Sequence, residues 1–303
     1  MNVRVLSVLI ILALLCACTQ FRFGRTPEAS IHTGTRGLVL QIEPTTPPAK
    51  VFAKDPFAVI GTITNEGTAD VESGVLTVGI DDAFVSMETP RVIPIRVAGR
   101  SALQPQGEVQ TVRLDLSAKE LGSVTETVTS TILLTMCYAY KTSASSTICI
   151  DTDLEKKTAN KPCTMQAVGS AGGQGAPIAV TRIETTLSPS ADRSRVIPLF
   201  TITLDNVGGG QVFGAENTVD VCTGKPAQNA NNAVVRAYLV DKELTCGEGT
   251  AVATFDRKNN VVRCTLPAGI DKSRGAFSTL VRVEADYGYS TSTSKNVQIV
   301  RGS

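Results

Sequence analysis

The chain contains two copies of one sequence unit, and this repeat limits the possible folds more than any other feature. Residues 37–48 match residues 177–189, and both segments contain an Ile-Glu pair. Further along, an Asn-x-Gly motif that begins at Asn65 recurs at Asn206, 141 positions later. The 303 residues are enough for two ordinary domains, so each copy is expected to form one domain.

The last part of each copy also matches, but at a different shift. Residues 138–150 correspond to residues 287–299, which are 149 positions later. The second copy therefore has about eight more residues than the first between the two matching parts. The polar, loop-like segment at residues 214–232 is the expected place of this insertion.

Both copies have the side-chain pattern of β-strands. Residues 59–64 and 200–205 alternate along the chain, are rich in Val, Ile and Thr, and end at the Asn-x-Gly motifs. This pattern is typical of half-buried antiparallel strands, and no long helical period interrupts it after the leader. The sequence therefore predicts an all-β protein with two tandem immunoglobulin-like β-sandwiches of roughly 120 residues each.

The first residues have the form of a secretory leader that ends in a lipidation motif. Arg4 precedes an apolar core of about 13 residues, which fits a signal peptide and is too short to span a bilayer. Residues 15–18, "LCAC", resemble a prokaryotic lipobox, which implies cleavage before Cys18 and lipidation of that cysteine. An ordinary signal peptide or an uncleaved apolar anchor is the alternative.

A family resemblance adds to this interpretation. The order of the predicted elements resembles that of the CARDB-type immunoglobulin-like domains of prokaryotic surface proteins. This order is a strand, an Asn-x-Gly turn, a strand, the Leu-x-Pro-x-Gly-Glu stretch at residues 103–108, a strand and a Tyr-rich closing hairpin. Two such domains behind a lipobox are similar to uncharacterised predicted lipoproteins of archaea. The resemblance implies extracellular display, adhesion or assembly without a catalytic site.

The expected organisation follows from the leader and the repeat. It is a signal peptide at 1–17, a tether at 18–36, a first sandwich at 37–154, a Gly-rich linker at 155–176 and a second sandwich at 177–303.

Composition excludes several kinds of function. With 29 basic and 28 acidic residues the chain is nearly neutral, so its net charge does not attract nucleic acid. The only histidine, His32, lies in the predicted tether, which argues against histidine-based catalysis and histidine-ligated zinc. No cofactor is expected.

Cys137 and Cys149 are predicted to form a disulfide across the closing hairpin of the first copy. Apolar residues of one parity form the core face of this segment, which leaves both cysteines on the outer face. The second copy has Asp286 and Gln298 at the two positions, so both cysteines are replaced together by polar residues. This joint replacement is typical of a paired site on the surface.

The other four cysteines after the leader allow three pairings. Cys246 and Cys264 flank a stretch that is expected to fold back near residues 256–260, which suggests a bridge between them. Cys163 in the linker would then pair with Cys222 in the insertion. A zinc site is disfavoured because the chain contains no Cys-x-x-Cys motif.

One acidic motif is a candidate cation site. Residues 151–155, "DTDLE", could offer carboxylates to calcium, but the spacing is not that of an EF-hand and a solvated strand end is favoured. The sequence predicts no metal site.

Together these features favour a lipid-anchored, extracytoplasmic protein of the cell envelope with a binding, adhesion or structural role and no enzymatic activity. Its expected partners are the membrane, through the N-terminal lipid, and a protein or glycan at a cell surface. An accessory subunit of a transporter, pilus or secretion assembly is the alternative. A thiol oxidoreductase that uses Cys137 and Cys149 is a weaker hypothesis, because no base or Cys-x-x-Cys motif supports it.

Overall fold

The structure is a computed structural model, and it describes residues 31–169, 173–227, 229–247, 251–255 and 260–302. The predicted signal peptide, Cys18 and most of the predicted tether lie outside these ranges. The described residues form mainly β-strands, with one short α-helix and two 3-10 turns. None of the helices in these ranges has the length and apolar character that crossing a bilayer requires.

The strands fall into two groups that follow the sequence repeat. The first group is β1 (Leu38–Ile42), β2 (Lys50–Phe52), β3 (Pro56–Asn65), β4 (Val71–Gly79), β5 (Val85–Met87), β6 (Val92–Val97), β7 (Val109–Ala118) and β8 (Thr127–Asp151). The second group is β9 (Val168–Gly169), β10 (Ile178–Pro189), β11 (Arg195–Asn206), β12 (Gln211–Phe213), β13 (Asn232–Leu239), β14 (Lys242–Glu243), β15 (Thr245–Cys246), β16 (Ala251–Thr254), β17 (Val261–Thr265), β18 (Ile270–Asp271) and β19 (Ala276–Val300). The 3-10 turns are Ala215–Asn217 and Lys272–Arg274, and helix α1 is Thr218–Cys222.

These strands build three sheets. A four-stranded sheet has the order β1-β3-β7-β5, and a six-stranded sheet has the order β15-β17-β11-β10-β9 with β18 beside β11. The third sheet has nine strands in the order β14-β13-β19-β8-β4-β6, with β2, β12 and β16 attached. All pairs are antiparallel except the short contact between β2 and β19.

Two strands of 25 residues each, β8 and β19, form the centre of the nine-stranded sheet. They pair along their whole length, from Ala276 opposite Asp151 to Val300 opposite Thr127. At about 3.3 Å per residue this ladder is roughly 80 Å long. We call the face that packs against the two smaller sheets the inner face, and the opposite one the outer face.

The inner face holds one continuous core. Alternate side chains of β8 and β19 point into it, and those of the smaller sheets meet them from the other side. Completely buried examples are Ile132, Leu134, Val281, Val283, Val59, Ile63, Phe200 and Ile202. The all-β class that the sequence predicts is therefore confirmed.

The two halves are not independent bodies joined only by a linker. The β8 strand of the first half and the β19 strand of the second half lie side by side in one sheet, and a single apolar core runs through both halves. The described parts of the predicted linker are also held in place. Its strand β9 pairs with β10, and the Gly175 amide donates to the Gly34 carbonyl at 2.9 Å.

The hairpins expected at the end of each copy are absent, which is a correction to the sequence analysis. Residues 138–150 and 287–299 each lie within one uninterrupted strand. The reason is visible at residues 141–147, "KTSASST", which contain none of the Gly, Asn or Pro residues that tight turns favour. Each strand therefore continues and pairs with its counterpart from the other copy.

The repeat appears in the structure as a pseudo-two-fold axis. The shift of 149 positions takes Ala139 to Gly288, and these two residues are also direct partners in the β8–β19 ladder. The axis consequently passes through this pair, perpendicular to the sheet. On the first side β4 lies beside β8, and on the second side β12 and β13 together take the same place beside β19.

Candidate functional site

Four tyrosines surround the pseudo-two-fold axis on the inner face. They are Tyr138 and Tyr140 on β8, and Tyr287 and Tyr289 on β19. All four are buried, and neighbouring ring centroids are 5.5 to 6.3 Å apart in edge-on or tilted arrangements. Such geometries are favourable for aromatic pairs, so the cluster joins the two copies where they meet.

The tyrosine hydroxyls explain why the Asn-x-Gly motif is repeated. Tyr140 donates to the side-chain oxygen of Asn65 at 3.1 Å and accepts from the Ala69 amide at 3.3 Å. In the second copy, Tyr289 donates to Asn206 at 2.9 Å in the same way. The conserved geometry is thus one tyrosine hydroxyl bonded to the asparagine that begins each turn.

The glycine of each motif leaves room for that hydroxyl. A Cβ atom on Gly67 would lie 2.0 Å from the Tyr140 hydroxyl oxygen, and one on Gly208 would lie 2.6 Å from that of Tyr289. Both distances are far below van der Waals contact. The tyrosine and glycine positions therefore depend on each other, and the sequence analysis missed this link although both motifs were visible.

The tyrosines have no acid–base role near neutral pH. Burial raises the pKa of Tyr138, Tyr140, Tyr287 and Tyr289 above the ordinary value of tyrosine. Their hydroxyls therefore remain protonated and act as neutral hydrogen-bonding groups.

The disulfide pairing differs from the predicted one. Cys137 is bonded to Cys222 with a Cα–Cα distance of 5.7 Å, and Cys149 is bonded to Cys163 with a distance of 5.8 Å. The predicted Cys137–Cys149 and Cys163–Cys222 bridges are therefore wrong. The reason is that Cys137 and Cys149 lie twelve positions apart in one extended strand, roughly 40 Å from each other.

The third bridge agrees with the sequence analysis. Cys246 on β15 lies directly opposite Cys264 on β17, and the two are bonded with a Cα–Cα distance of 4.0 Å. This bridge lies wholly within the second half.

The insertion of the second copy forms a cap over the outer face. We use this name for the described residues 214–227 and 229–231, which include helix α1. Cys222 at the end of α1 places its sulfur 3.4 Å from the Val75 carbonyl oxygen and bonds to Cys137. Val75, Cys137, Phe213 and Cys222 form a small apolar cluster under the cap. A part of the second copy is thus covalently attached to the first.

The cap also explains a difference at the pseudo-two-fold axis. The ring of Phe213 would be 2.1 Å from a Cβ atom on Gly288, whereas its partner in the ladder is Ala139. Glycine is needed only on the side that the phenylalanine covers.

Beyond the cap, the outward side chains of the β8–β19 ladder in the first half are uncharged. Thr131 donates to the side-chain oxygen of Asn296 at 2.9 Å, and the hydroxyls of Thr135 and Ser292 are 2.9 Å apart. Leu133 lies between them and exposes 42% of its surface. This end presents hydroxyl and amide groups around an apolar side chain.

The outer face of the second half is charged. Lys141 lies 3.6 Å from Asp286 and 3.8 Å from Glu284, and Arg282 bonds to Glu284 at 2.8 Å. The Arg282 guanidinium also lies 4.4 Å from the centre of the Tyr238 ring. The signs alternate, so the charges largely satisfy one another.

The acidic motif after β8 holds a lysine. Lys161 lies 2.5 Å from Asp151 and 3.5 Å from Asp153, so its ammonium group occupies the space that a calcium ion would need beside these carboxylates. Backbone amides of Thr158 and Lys157 lower the pKa of Asp153 to about 2. Within the described ranges no group of three or more potential metal ligands occurs. His32 is exposed.

No family model matches the chain, and no curated protein matches it either. The relationship to CARDB-type domains therefore stays a prediction from sequence.

Proposed function

We propose that the chain is an extracytoplasmic, non-enzymatic binding or structural protein of the cell envelope, attached to a membrane through a lipid on Cys18. The observation that supports this proposal most is the set of three disulfides, which uses all six cysteines after the leader. Disulfides persist in oxidising compartments and are rare in the cytosol.

The chemistry of the described residues fits a binding or structural role better than catalysis. Cys137 and Cys149 belong to different bridges and lie far apart, so they do not form the redox pair of the oxidoreductase hypothesis. The buried tyrosine hydroxyls stay neutral and are used in hydrogen bonds. Only one histidine is present, and it lies at the surface.

The proposed contact surface is the outer face of the nine-stranded sheet. It is long, and the cap and the segment around Cys163, which is bonded to Cys149, cover only parts of it. One end offers hydroxyl and amide groups, which suit a glycan or a polar protein surface, and the other end offers alternating charges. The same face would serve docking if the chain is an accessory subunit of an envelope assembly.

For the finer fold, we propose that each half is a variant of the CARDB-type immunoglobulin-like sandwich. Each smaller sheet packs against its own half of the shared sheet, which supports a two-layer arrangement repeated twice. The shared β8–β19 ladder distinguishes this arrangement from two independent domains joined by a linker.

Mass spectrometry of protein from the native cells tests the anchor and the compartment together. We expect an N-terminal peptide that begins with a lipid-modified Cys18, and six remaining cysteines that resist alkylation until the protein is reduced. A Cys18→Ser variant should leave the membrane fraction or retain its leader. An unmodified N-terminus at another residue would refute the anchor, and freely alkylated cysteines would refute the compartment.

A further inference from the structure

A pocket opens next to the tyrosine cluster, on one side of the pseudo-two-fold axis. Its volume is about 190 Å³, below the range of about 300–1,000 Å³ typical of drug-sized ligands, so it suits only a small molecule. Segments from both halves form its walls. The residues that the argument uses are Arg36, Leu40, Tyr138, Tyr289 and Thr291.

The pocket contains a hydrogen-bond donor without an acceptor. Tyr138 is completely buried and its hydroxyl oxygen accepts from the Leu38 amide at 3.2 Å. Its hydroxyl hydrogen has no acceptor among the residues that the structure describes. A buried donor in this state favours a ligand that supplies an oxygen.

The pseudosymmetric position in the other copy shows that this is a specific difference. There Tyr287 accepts from the Ile178 amide at 3.3 Å, and its hydroxyl also bonds to that of Thr142 at 2.9 Å. Thr142 in turn donates to the Ile178 carbonyl at 2.8 Å. The counterpart of Thr142 is Thr291, which lines the pocket and makes no such bond within the described ranges.

The charge of the pocket points to an anion. Arg36 lines it, and none of the described lining residues is acidic. Glu66 lies outside the lining and 3.5 Å from one guanidinium nitrogen of Arg36, which leaves the other nitrogens for a ligand. Arg36 lies two residues before Leu38, whose amide donates to Tyr138. The residue at the same place before Ile178, whose amide donates to Tyr287, is Ala176. The arginine and the tyrosine hydroxyl without an acceptor therefore occur together at the pocket, and neither feature is found at the equivalent place in the other copy.

We propose that this pocket binds a small organic carboxylate. The Tyr138 hydroxyl donates to one carboxylate oxygen, Arg36 supplies the positive charge, and Leu40 with the Tyr289 ring contacts the apolar part of the ligand. This proposal concerns a ligand site on the inner side of the molecule, and it does not depend on lipidation or on the outer face.

Isothermal titration calorimetry of the full chain in detergent, with benzoate as the probe, tests the proposal. We expect saturable binding to the wild type and binding weakened about tenfold or more in Tyr138→Phe, since hydrogen bonds to charged groups contribute on this scale. The matched control is Tyr287→Phe, which removes the equivalent hydroxyl from the other copy and should leave the affinity unchanged.

Further variants and probes keep the test decisive if Tyr138→Phe folds poorly. Arg36 is exposed, so Arg36→Gln should fold normally and also weaken benzoate binding. Benzamide, which has the same shape without the charge, should bind the wild type more weakly than benzoate. The proposal is overturned if benzoate does not bind saturably, if benzamide binds equally well, or if a benzoate-soaked crystal shows only water in the pocket. Equal weakening in Tyr287→Phe would also overturn it.

Discussion

The two copies share one hydrogen-bond network and differ in what surrounds it. In both, a buried tyrosine donates to the asparagine of the Asn-x-Gly motif. In the second copy, Thr142 bonds to the other tyrosine, Tyr287, and the insertion of this copy forms the cap over the outer face of the first half. In the first, the corresponding threonine leaves a pocket open.

This difference indicates which parts of a duplicated fold can differ between the two copies. The residues at the axis contact each other from both copies, so a change at one of them disturbs several partners. The insertion between β12 and β13 enters at the edge of the network and extends over the outer face. The divergent features therefore lie around the network rather than within it.

The largest expected effect comes from the bridge between the copies. Replacing Cys137 and Cys222 by alanine opens a connection across 85 positions, whereas replacing Cys246 and Cys264 opens one across only 18. The chain-entropy model gives losses of about 4 to 5 kcal/mol and about 3 kcal/mol, respectively. Urea denaturation of both variants measures the difference.

Hydrogen exchange provides the matching local readout. The Cys137/Cys222 variant should lose protection in the cap, and the Cys246/Cys264 variant should not. If both variants lose equal stability and keep a protected cap, the covalent link between the copies is unimportant for holding the insertion.

The next largest effect is expected at the glycine of the first turn. Gly67→Ala places a methyl group against the Tyr140 hydroxyl and 2.5 Å from the Gly175 carbonyl oxygen, and should cost about 3 kcal/mol. Gly122→Ala is the control, because no atom lies within 4 Å of its added Cβ. Thermal melting that showed equal stability for the two variants would contradict the close approach.

A smaller effect is the difference in stability loss between alanine variants of Asn65 and Asn206. Asn65 is completely buried and its amide group donates to the Ala69 and Val97 carbonyls at 2.8 and 3.0 Å, whereas Asn206 is exposed. Asn65→Ala leaves buried groups without partners and should cost about 3 kcal/mol, but Asn206→Ala about 1 kcal/mol. Chemical denaturation checks the order, and a reversed order would mean that burial does not decide the value of the motif.

The smallest effect concerns the acidic residues that follow β8. Amides lower the pKa of Asp153 to about 2, and hydrogen bonds from Lys157 and Lys272 lower that of Glu155 to about 2. Since both folded-state values lie below the ordinary ones, their stabilisation is present above about pH 4 and is lost as the pH falls towards 2.

An Asp153→Asn, Glu155→Gln variant should accordingly melt at a slightly lower temperature at pH 7 and lose less on acidification than the wild type. Melting curves between pH 7 and pH 2 provide the measurement. Parallel curves for the two proteins would show that these carboxylates do not contribute.

The sequence predicted local structure well, but it predicted poorly which strands pair with each other and which cysteines form disulfides. Alternation correctly placed residues 59–64 and 200–205 in strands, and parity correctly put Cys137 on the outer face. The Cys246–Cys264 bridge was accessible because both cysteines lie close in sequence. The repeat itself revealed the duplicated architecture.

The errors have two physical causes. A strand buries the same side chains whether it folds back on itself or pairs with its counterpart from the other copy, so alternation alone could not exclude a hairpin. The absence of turn-forming residues at 141–147 was the signal that could have done so. Cys222 could not be assigned to Cys137, because no local pattern shows where an insertion will lie in space.

The full-length pairing of β8 with β19 has a mechanical consequence. A force that pulls the two halves apart along the strand direction acts on many hydrogen bonds of the ladder at once, as shear. Two independent domains joined by a glycine-rich linker would instead extend first at the linker. With 25 residue pairs joined side by side, the molecule is expected to transmit tension as a stiff rod from one end to the other.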